Sequence, residues 1–497
     1  MENYESIEEH LSNIEQKKYL QFDFPILKNE QSQLIHNISD EIKHHRYLPF
    51  IRTDIIFQKY SATTKCVKPK VRKLTLPSHH DAFIYQYFGY QLSKRYEECV
   101  KNTCIDESAV AYRLNKHVSN ITVAKEVVDF ITNSNGCWII KGDFKSFFDT
   151  LDHSILASNL AALLGNNYDN SYKRMLRSVT KYRYITRKTL KKQLKDSGID
   201  KYYVRKSGRA YVKNLKQFGD LIKNKEIRLS SPNKKGIPQG TAVSAVLANI
   251  YMYEFDLWLS SIAKQNNGIY RRYSDDFIVI IPASKDKEEL ITRLKDEIIK
   301  YSRDNIHLKI EPHKTQLLLY SKEDNKILKL MGNTYRPYSL AYLGFCFDGI
   351  SVSLRPKSIY KFVYRSKRSI NRYIAFMDAR ERYLSSKGPS ICVKKFNKKG
   401  VKTFRIANPT EKYRKRELYK KAGTMNSRRV FRYRKDVIKR LLAITKIEPR
   451  SSMMSYARKA QRLFQYGTHG KYKVVILRQV VRQISRNQKK VGASLRK

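Results

Sequence analysis

Acidic residues are scarce in this chain. Of its 497 residues, 45 are Asp or Glu against 99 Lys or Arg, for a formal net charge of +54. An excess this large keeps a protein soluble but makes it repel itself, and the commonest relief is a polyanion such as nucleic acid. Glycine and proline are also few, at 19 and 13, which excludes collagen-like and low-complexity classes. The six cysteines, Cys66, Cys99, Cys104, Cys137, Cys346 and Cys392, include no C-x-x-C pair. They read as reduced thiols of a cytosolic protein rather than as zinc ligands. No apolar run approaches the ~20 residues of a membrane span. The first residues, MENYESIEEHLSNIE, lack the basic-then-apolar order of a signal peptide, so a cytoplasmic location away from membranes is expected. What is present is apolar material in quantity. With 41% hydrophobic and 12% aromatic residues, the chain can bury a core and is not disordered. Its length allows about three structural units.

The charge is uneven. Residues 351–497 hold 43 Lys or Arg and 6 Asp or Glu, a net of +37; the first 350 hold 56 and 39, a net of +17. This places a compositional boundary near Ser351. Aromatics interleave with the cations in YRKRELYKK (413–421) and RRVFRYRK (428–435), a mixture suited to phosphate contacts and base stacking. Ile359, Phe362, Val363, Ile370, Tyr373, Ile374 and Met377 follow a helical period. Val437, Ile438, Leu441 and Leu442 fit a second helix. Residues 385–411 carry Gly, Pro and Asn punctuation and read as a loop or hairpin insertion. No internal repeat is present.

The chemistry lies in residues 130–350. In WIIKGDFKSFFDTLDH (138–153) an apolar run ends at Asp143, as a strand delivering a carboxylate would. In IYRRYSDDFIVIIP (269–282) two β-rich runs flank Ser274-Asp275-Asp276, which predicts a hairpin with adjacent aspartates at its tip. A carboxylate in a turn is ordinary. Two adjacent ones between apolar runs repel each other unless a cation offsets the cost. A third converging carboxylate would complete an oxygen site suited to Mg²⁺, and two such ions serve nucleotidyl transfer. Between the two motifs, Gly236, Pro238 and Gly240 make a turn, with Thr241 as N-cap of a long helix. Gly240 lets the backbone approach a ligand.

The order Asp143…Phe148, then Pro238-Gln239-Gly240, then Tyr273-Ser274-Asp275-Asp276 resembles reverse transcriptases, most closely the bacterial group II intron, retron and defence-associated enzymes. Flanking segments extend the resemblance over about residues 45–350 of the chain. VRKLTLP (71–77) resembles the first fingers motif. AYRLNK (111–116) resembles the second, without the usual Gly-Phe before the Arg. LKIEPHKTQLL (308–318) resembles the palm segment ending in Lys-Thr, and AYLGFCF (341–347) the primer-grip hairpin. The resemblance implies that Asp143, Asp275 and Asp276 are catalytic carboxylates holding two Mg²⁺ ions. It implies that Phe148 lies under the sugar and selects dNTP substrates, and that Gln239 lies by the incoming nucleotide. Lys70 and Arg72 would contact its triphosphate, with Lys65, Lys68 and Lys73 competing for the lysine role. Lys314 would assist the leaving pyrophosphate, or else be an exposed lysine.

The expected fold is α+β, a right-hand polymerase. Residues 1–120 would be an N-terminal helix and fingers, with Ile7, Leu11, Ile14 and Leu20 on the helix. Residues 121–350 would be palm, enlarged by a basic insertion at 165–235, with a last helix from Asp286 to Asn305 that opens on a capping box and buries Leu290, Leu294 and Ile298. Residues 351–497 would be a basic helical thumb and C-terminal extension. The expected function is RNA-directed DNA synthesis. The partners would be an RNA template, expected to be a dedicated structured non-coding RNA, and its cDNA product. The absence of endonuclease, RNase H and retron-type segments favours a stand-alone enzyme of bacterial antiviral defence. The alternatives are an intron-type maturase or RNA-binding protein, and a template-independent or protein-primed DNA polymerase. A homo-oligomer and either an RNA or a tyrosine hydroxyl as primer stay open.

Overall fold

Strands with one solvated face alternate apolar and polar residues; strands covered on both faces do not. Segments 137–143 and 276–282 are of the second kind, and they pair with each other in the main sheet of the first unit. The computed structural model describes residues 4–61, 66–116, 118–311, 315–331, 334–385, 390–397, 400–407 and 453–495. Lys65, Lys314, the 413–421 and 428–435 stretches and the helix expected around Val437 lie outside them. The chain divides into two compact units, Met1–Val118 with Gly136–Leu319, and Ser119–Asn135 with Tyr320–Lys497.

In the first unit, β1 (Phe50–Ser61) and β2 (Cys66–Leu76) form a long antiparallel hairpin. β3 (Cys137–Asp143) follows, then β4 (Tyr184–Thr186), which pairs in parallel with the start of β1. β5 (Tyr203–Arg205) and β6 (Gly208–Ala210) make a short hairpin. β7 (Ile269–Tyr273) and β8 (Asp276–Pro282) make the central one. β8 also pairs antiparallel with β3, and β9 (Gln316–Ser321) flanks β3 on its other side. Trp138, Ile139, Ile140 and Phe277 to Ile281 are all buried. At about 1.5–3 kcal/mol for each large apolar side chain buried, a one-residue slip of either strand is costly. The helix Tyr253–Gln265 packs on this sheet through Phe255, whose ring meets Phe144, Tyr270 and Phe277 edge-on.

The 22-residue helix His79–Val100 shows how the fold meets its polar obligations. The first N–H groups of any helix lack partners inside it. Here Ser78 Oγ accepts from the Asp81 N–H, and the Asp23 carboxylate accepts from His79 and His80, each at 2.9 Å. The helix then buries Phe83, Ile84, Phe88, Leu92 and Val100.

Three local expectations are revised. The first helix is only Ile7–Ser12 and fully buries Leu11 alone among its expected apolar residues. The helix expected from Asp286 to Asn305 is Glu288–Asp304, preceded by a 3-10 turn at Lys285–Lys287, and Asp286 bonds Ser284 instead of closing a capping box. Its buried face runs through Ile291 and Ile298, while Leu290, one position and about 100° around the helix, is 60% exposed. Residues 165–235 are woven into the N-terminal sheet rather than appended to it. β4 joins β1, and Ile185, Leu190, Leu194, Tyr211 and Phe218 share one core with Phe22 and Ile51.

The second unit contains the helix Asn120–Asn133 and the hairpin of β10 (Lys326–Met331) and β11 (Thr334–Tyr338). β12 (Leu340–Tyr342), β13 (Phe345–Phe347) and β14 (Ser351–Leu354) form a meander. The 30-residue helix Pro356–Ser385 follows, then the hairpin of β15 (Ser390–Asn397) and β16 (Gly400–Ala407), within the segment read as a hairpin insertion. The chain returns through the helix Met453–Gln465, β17 (Lys473–Val474), parallel to β14, and the helix Ile476–Leu495. Tyr472 donates to Asp129 at 2.7 Å, and Asn120 bonds both the Leu343 carbonyl and Tyr456. The compositional boundary near Ser351 therefore falls inside a sheet of this unit. On the helix Pro356–Ser385, Ile370 is buried, whereas Tyr360 and Tyr364 are 71% and 67% exposed.

Candidate active site

β3 and β8 run antiparallel in a register that sets Asp143 directly opposite Asp276. Cross-strand partners in such a ladder stand about 4.5–5.5 Å apart at Cβ. Register here depends on a glycine: Gly142 faces Phe277, and any Cβ at 142 would overlap the Phe277 ring. The two-residue turn Ser274-Asp275 joins β7 to β8, with Ser274 in the left-handed region at φ 62°. Asp275 sits exposed on that turn, and its carbonyl accepts from the Phe144 N–H at 3.0 Å. The Asp143 carbonyl accepts from Glu311 N–H at 2.9 Å. Lys141 Nζ lies 3.9 Å from Asp276 Oδ1. Backbone bonds thus hold all three aspartates at one end of the sheet. They are not drawn into a tight trio: among the described residues, the three-residue cluster with ligand atoms within 4.8 Å of one another is Glu41, His45 and His80.

The Pro238-Gln239-Gly240 turn is tied to the same place from two sides. Ile237 N–H donates to the Phe148 carbonyl at 2.8 Å, and Gly236 N–H to Leu151 at 2.7 Å. The Gln239 carbonyl accepts from both the backbone N–H and the hydroxyl of Thr75, at 3.2 and 3.1 Å. Gly240 has φ 132°, and a Cβ there would sit 2.6 Å from the Thr75 carbonyl oxygen. The first tie fastens the Phe148 backbone to Ile237, two residues before Gln239. Phe148 is half-buried, its ring edge-on to Phe147. The second tie joins that turn to β2, which carries Lys70 and Arg72 opposite Phe57 and Ile55. Arg72 is exposed, its guanidinium 5.7 Å from the Phe57 ring centroid. Thr241 is not the N-cap of the following helix, Val243–Tyr251, a position taken by Ala242 without a side-chain bond; the Thr241 hydroxyl bonds that of Ser244 at 2.5 Å.

Sequence reading missed the support beneath the hairpin. Arg272 is fully buried and makes a two-pronged ion pair with Asp256, Nε to Oδ1 at 2.8 Å and Nη2 to Oδ2 at 2.5 Å. It also donates to Asn249 Oδ1 and to the Ser274 carbonyl of the turn itself. Tyr270 donates to Asp256 as well. Burial alone would lower the Arg272 pKa, but Asp256 outweighs it and holds the guanidinium above its ordinary value. A second buried cation, Arg113, grips Glu97 through two bonds and Asp106 through a third. It fastens the loop whose Val110 N–H donates to the Arg272 carbonyl. The available signal was the pair of arginines beside the aspartates in Arg271-Arg272, since a buried arginine requires an acid behind it.

An antiparallel pair of strands carrying facing acids, with a glycine-bearing turn fastened beside them, is an arrangement whose oxygen donors suit a hard divalent cation. The family model described as reverse transcriptase (RNA-dependent DNA polymerase) matches residues 90–347, and the chain belongs to that family. A curated relative, Protein YkfC of Escherichia coli (strain K12), is 24% identical over 213 residues, 37% of this chain and 44% of that protein. The match thus spans less than half the relative's length. Among solved structures, apo telomerase from Candida tropicalis truncated from the C-terminal domain aligns with TM-score 0.38 and 13% identity, over 67% of this chain and 61% of that one. Candida albicans telomerase in complex with a TWJ fragment of telomeric RNA aligns with TM-score 0.38 and 13% identity, over 94% and 69%. Among the described residues no helix is long and apolar enough to cross a membrane.

Proposed function

We propose that the chain is an RNA-directed DNA polymerase that builds cDNA on a bound RNA. The observation that carries this reading is the register of β3 and β8, which sets Asp143 against Asp276 beside the exposed Asp275. The donors are carboxylate oxygens on adjacent strands, and their mutual repulsion favours a cation between them, which fits Mg²⁺. Magnesium, when bound, would favour the 3′-alkoxide and offset charge on the departing pyrophosphate. The primer 3′-oxygen forms a bond to the α-phosphorus of a dNTP as the bond to pyrophosphate breaks. In this reading Asp143, Asp275 and Asp276 orient the reacting groups. Gln239 borders the incoming nucleotide, Arg72 and Lys70 reach its triphosphate from β2, and Phe148 excludes a 2′-hydroxyl.

The same proposal includes a right-hand arrangement with residues 351–497 as a basic thumb. A cavity of about 1040 Å³ in the first unit is lined by Arg46, Lys173, Arg174, Arg177, Lys181 and Arg183. Six cations on one concave surface suit phosphates of a folded RNA. A dedicated structured RNA and bacterial antiviral defence belong to the reading too, the first tested by sequencing copurified nucleic acid and the second by phage plating. The decisive experiment is Asp275→Ala with Asp276→Ala. Loss of dNTP incorporation with RNA binding retained is expected; retained synthesis sinks the assignment.

A further inference from the structure

Away from the aspartates, four ionisable side chains converge in the N-terminal part of the first unit. Glu41 belongs to the short helix Ile38–His44, and His45 caps that helix. His80 and Asp81 lie in the first turn of the helix His79–Val100. Ligand atoms of Glu41, His45 and His80 all fall within 4.8 Å of one another. Glu41 Oε2 is 3.2 Å from His80 Nε2, and Asp81 Oδ1 is 2.7 Å from His45 Nε2. A tetrahedral zinc site with metal–ligand bonds near 2.0–2.1 Å separates its ligand atoms by about 3.3 Å, so side-chain adjustments of about 1 Å bring Glu41, His45 and His80 to that spacing.

Two features distinguish the cluster from a chance meeting of polar groups. His80 Nε2 is enclosed, and its 3.2 Å approach to Glu41 is not aligned as a hydrogen bond, a cost that buried polar atoms normally avoid. The backbone around the four is also held in place. The His80 N–H bonds Asp23 at 2.9 Å, and Asp81 takes the Leu48 N–H on Oδ2 at 3.1 Å, leaving Oδ1 toward His45. The two imidazole rings are 4.9 Å apart and tilted by 58°, so they do not stack and can point at a common centre. His45 and Asp81 are buried, whereas Glu41 and His80 are about one-third exposed and border a cavity of about 670 Å³. The site thus has a fixed inner wall and an open side through which an ion can enter.

We propose that Glu41, His45 and His80 form a zinc site that staples residues 38–45 to the start of the helix His79–Val100, with Asp81 holding His45 in place through its hydrogen bond. Two imidazoles and one carboxylate, with water in the fourth position, are a donor set that zinc accepts. The ion lies between His80 and the Glu41 carboxylate, and Asp81 orients the His45 ring by the hydrogen bond it already makes. The site is independent of the polymerase reading, because none of the four residues belongs to the aspartate end of the sheet.

The test uses the full chain, stripped with a chelator and dialysed against Zn²⁺ in excess Mg²⁺. The wild type is expected to retain one more equivalent of zinc than His45→Ala/His80→Ala, and zinc is expected to raise the Tm of the wild type but not of the variant. Asp81→Asn should weaken the retained zinc by about 10–100-fold. X-ray absorption on the zinc-loaded wild type, which depends on no variant, should show an N/O shell near 2.0 Å with the scattering of two imidazoles. Equal zinc retention by wild type and double variant, or a shell without imidazole, overturns the proposal.

Discussion

Two hairpins carry the charges proposed to act on one nucleotide, and they are built on opposite principles. β7–β8 carries acids at its turn and is buried along its length, with Arg272 and Asp256 paired beneath it. β1–β2 carries cations and leaves Ile55, Ile56, Phe57 and Val71 exposed. In the first, packing, an ion pair and a glycine all fix where a carboxylate points. In the second, the strand register places the cations, and Arg72 rests against the exposed Phe57 ring. A pair of acids must be held against its own repulsion, whereas lysine and arginine reach a phosphate on long stems and need only a frame.

The comparison can be broken most severely at Asp256. Asp256→Ala leaves the Arg272 guanidinium buried and unpaired, and about 3–5 kcal/mol of stability should be lost, measured by urea unfolding. The paired change Arg272→Met/Asp256→Leu should recover much of that loss. If Asp256→Ala is neutral, the buried pair does not carry the hairpin. Next is Gly142→Ala, whose methyl meets the Phe277 ring. A cost of about 1–3 kcal/mol is expected, with dNTP incorporation falling too because Asp143 and Asp276 are displaced together. Phe277→Leu in the same chain should relieve it. On the exposed hairpin, Arg72→Ala should change stability by no more than about 0.5 kcal/mol while raising KM for dNTPs. A large loss of Tm there would erase the contrast. The smallest effect is acid sensitivity at Asp106. Burial raises its pKa, but the Arg113 and Lys116 contacts outweigh this and hold it below the ordinary 3.8. Its stabilising contribution is complete above 3.8 and fades as pH falls through the lower folded value. Unfolding followed from pH 5 to pH 2 should show that slope reduced in Asp106→Asn.

The strands around Asp143 and Asp276 were legible because unbroken runs such as Trp138-Ile139-Ile140 and Phe277 to Ile281 have few other ways to be buried. The turn at Pro238-Gln239-Gly240 was legible because its glycines mark a close approach, realised against Thr75. The face expected on the helix at Glu288 is buried at Ile298 but not at Leu290, because a 3.6-residue period constrains a face only loosely when both Leu290 and Ile291 are apolar. The 165–235 segment read as an insertion because basic charge signals an exposed face but says nothing about the core behind it. Its link to β1 is a pairing over more than a hundred residues of chain, which local pattern cannot record.

By itself, then, the sequence determined the acid-bearing strands, the glycine turn and the uneven positive charge, since each follows from local burial, backbone freedom or counting. Only the tertiary structure decided that Asp143 faces Asp276, that Arg272 lies over Asp256, and that Glu41 and His45 meet His80 and Asp81. These are agreements between distant segments, and their physical cause is register and packing, which no single stretch of chain contains.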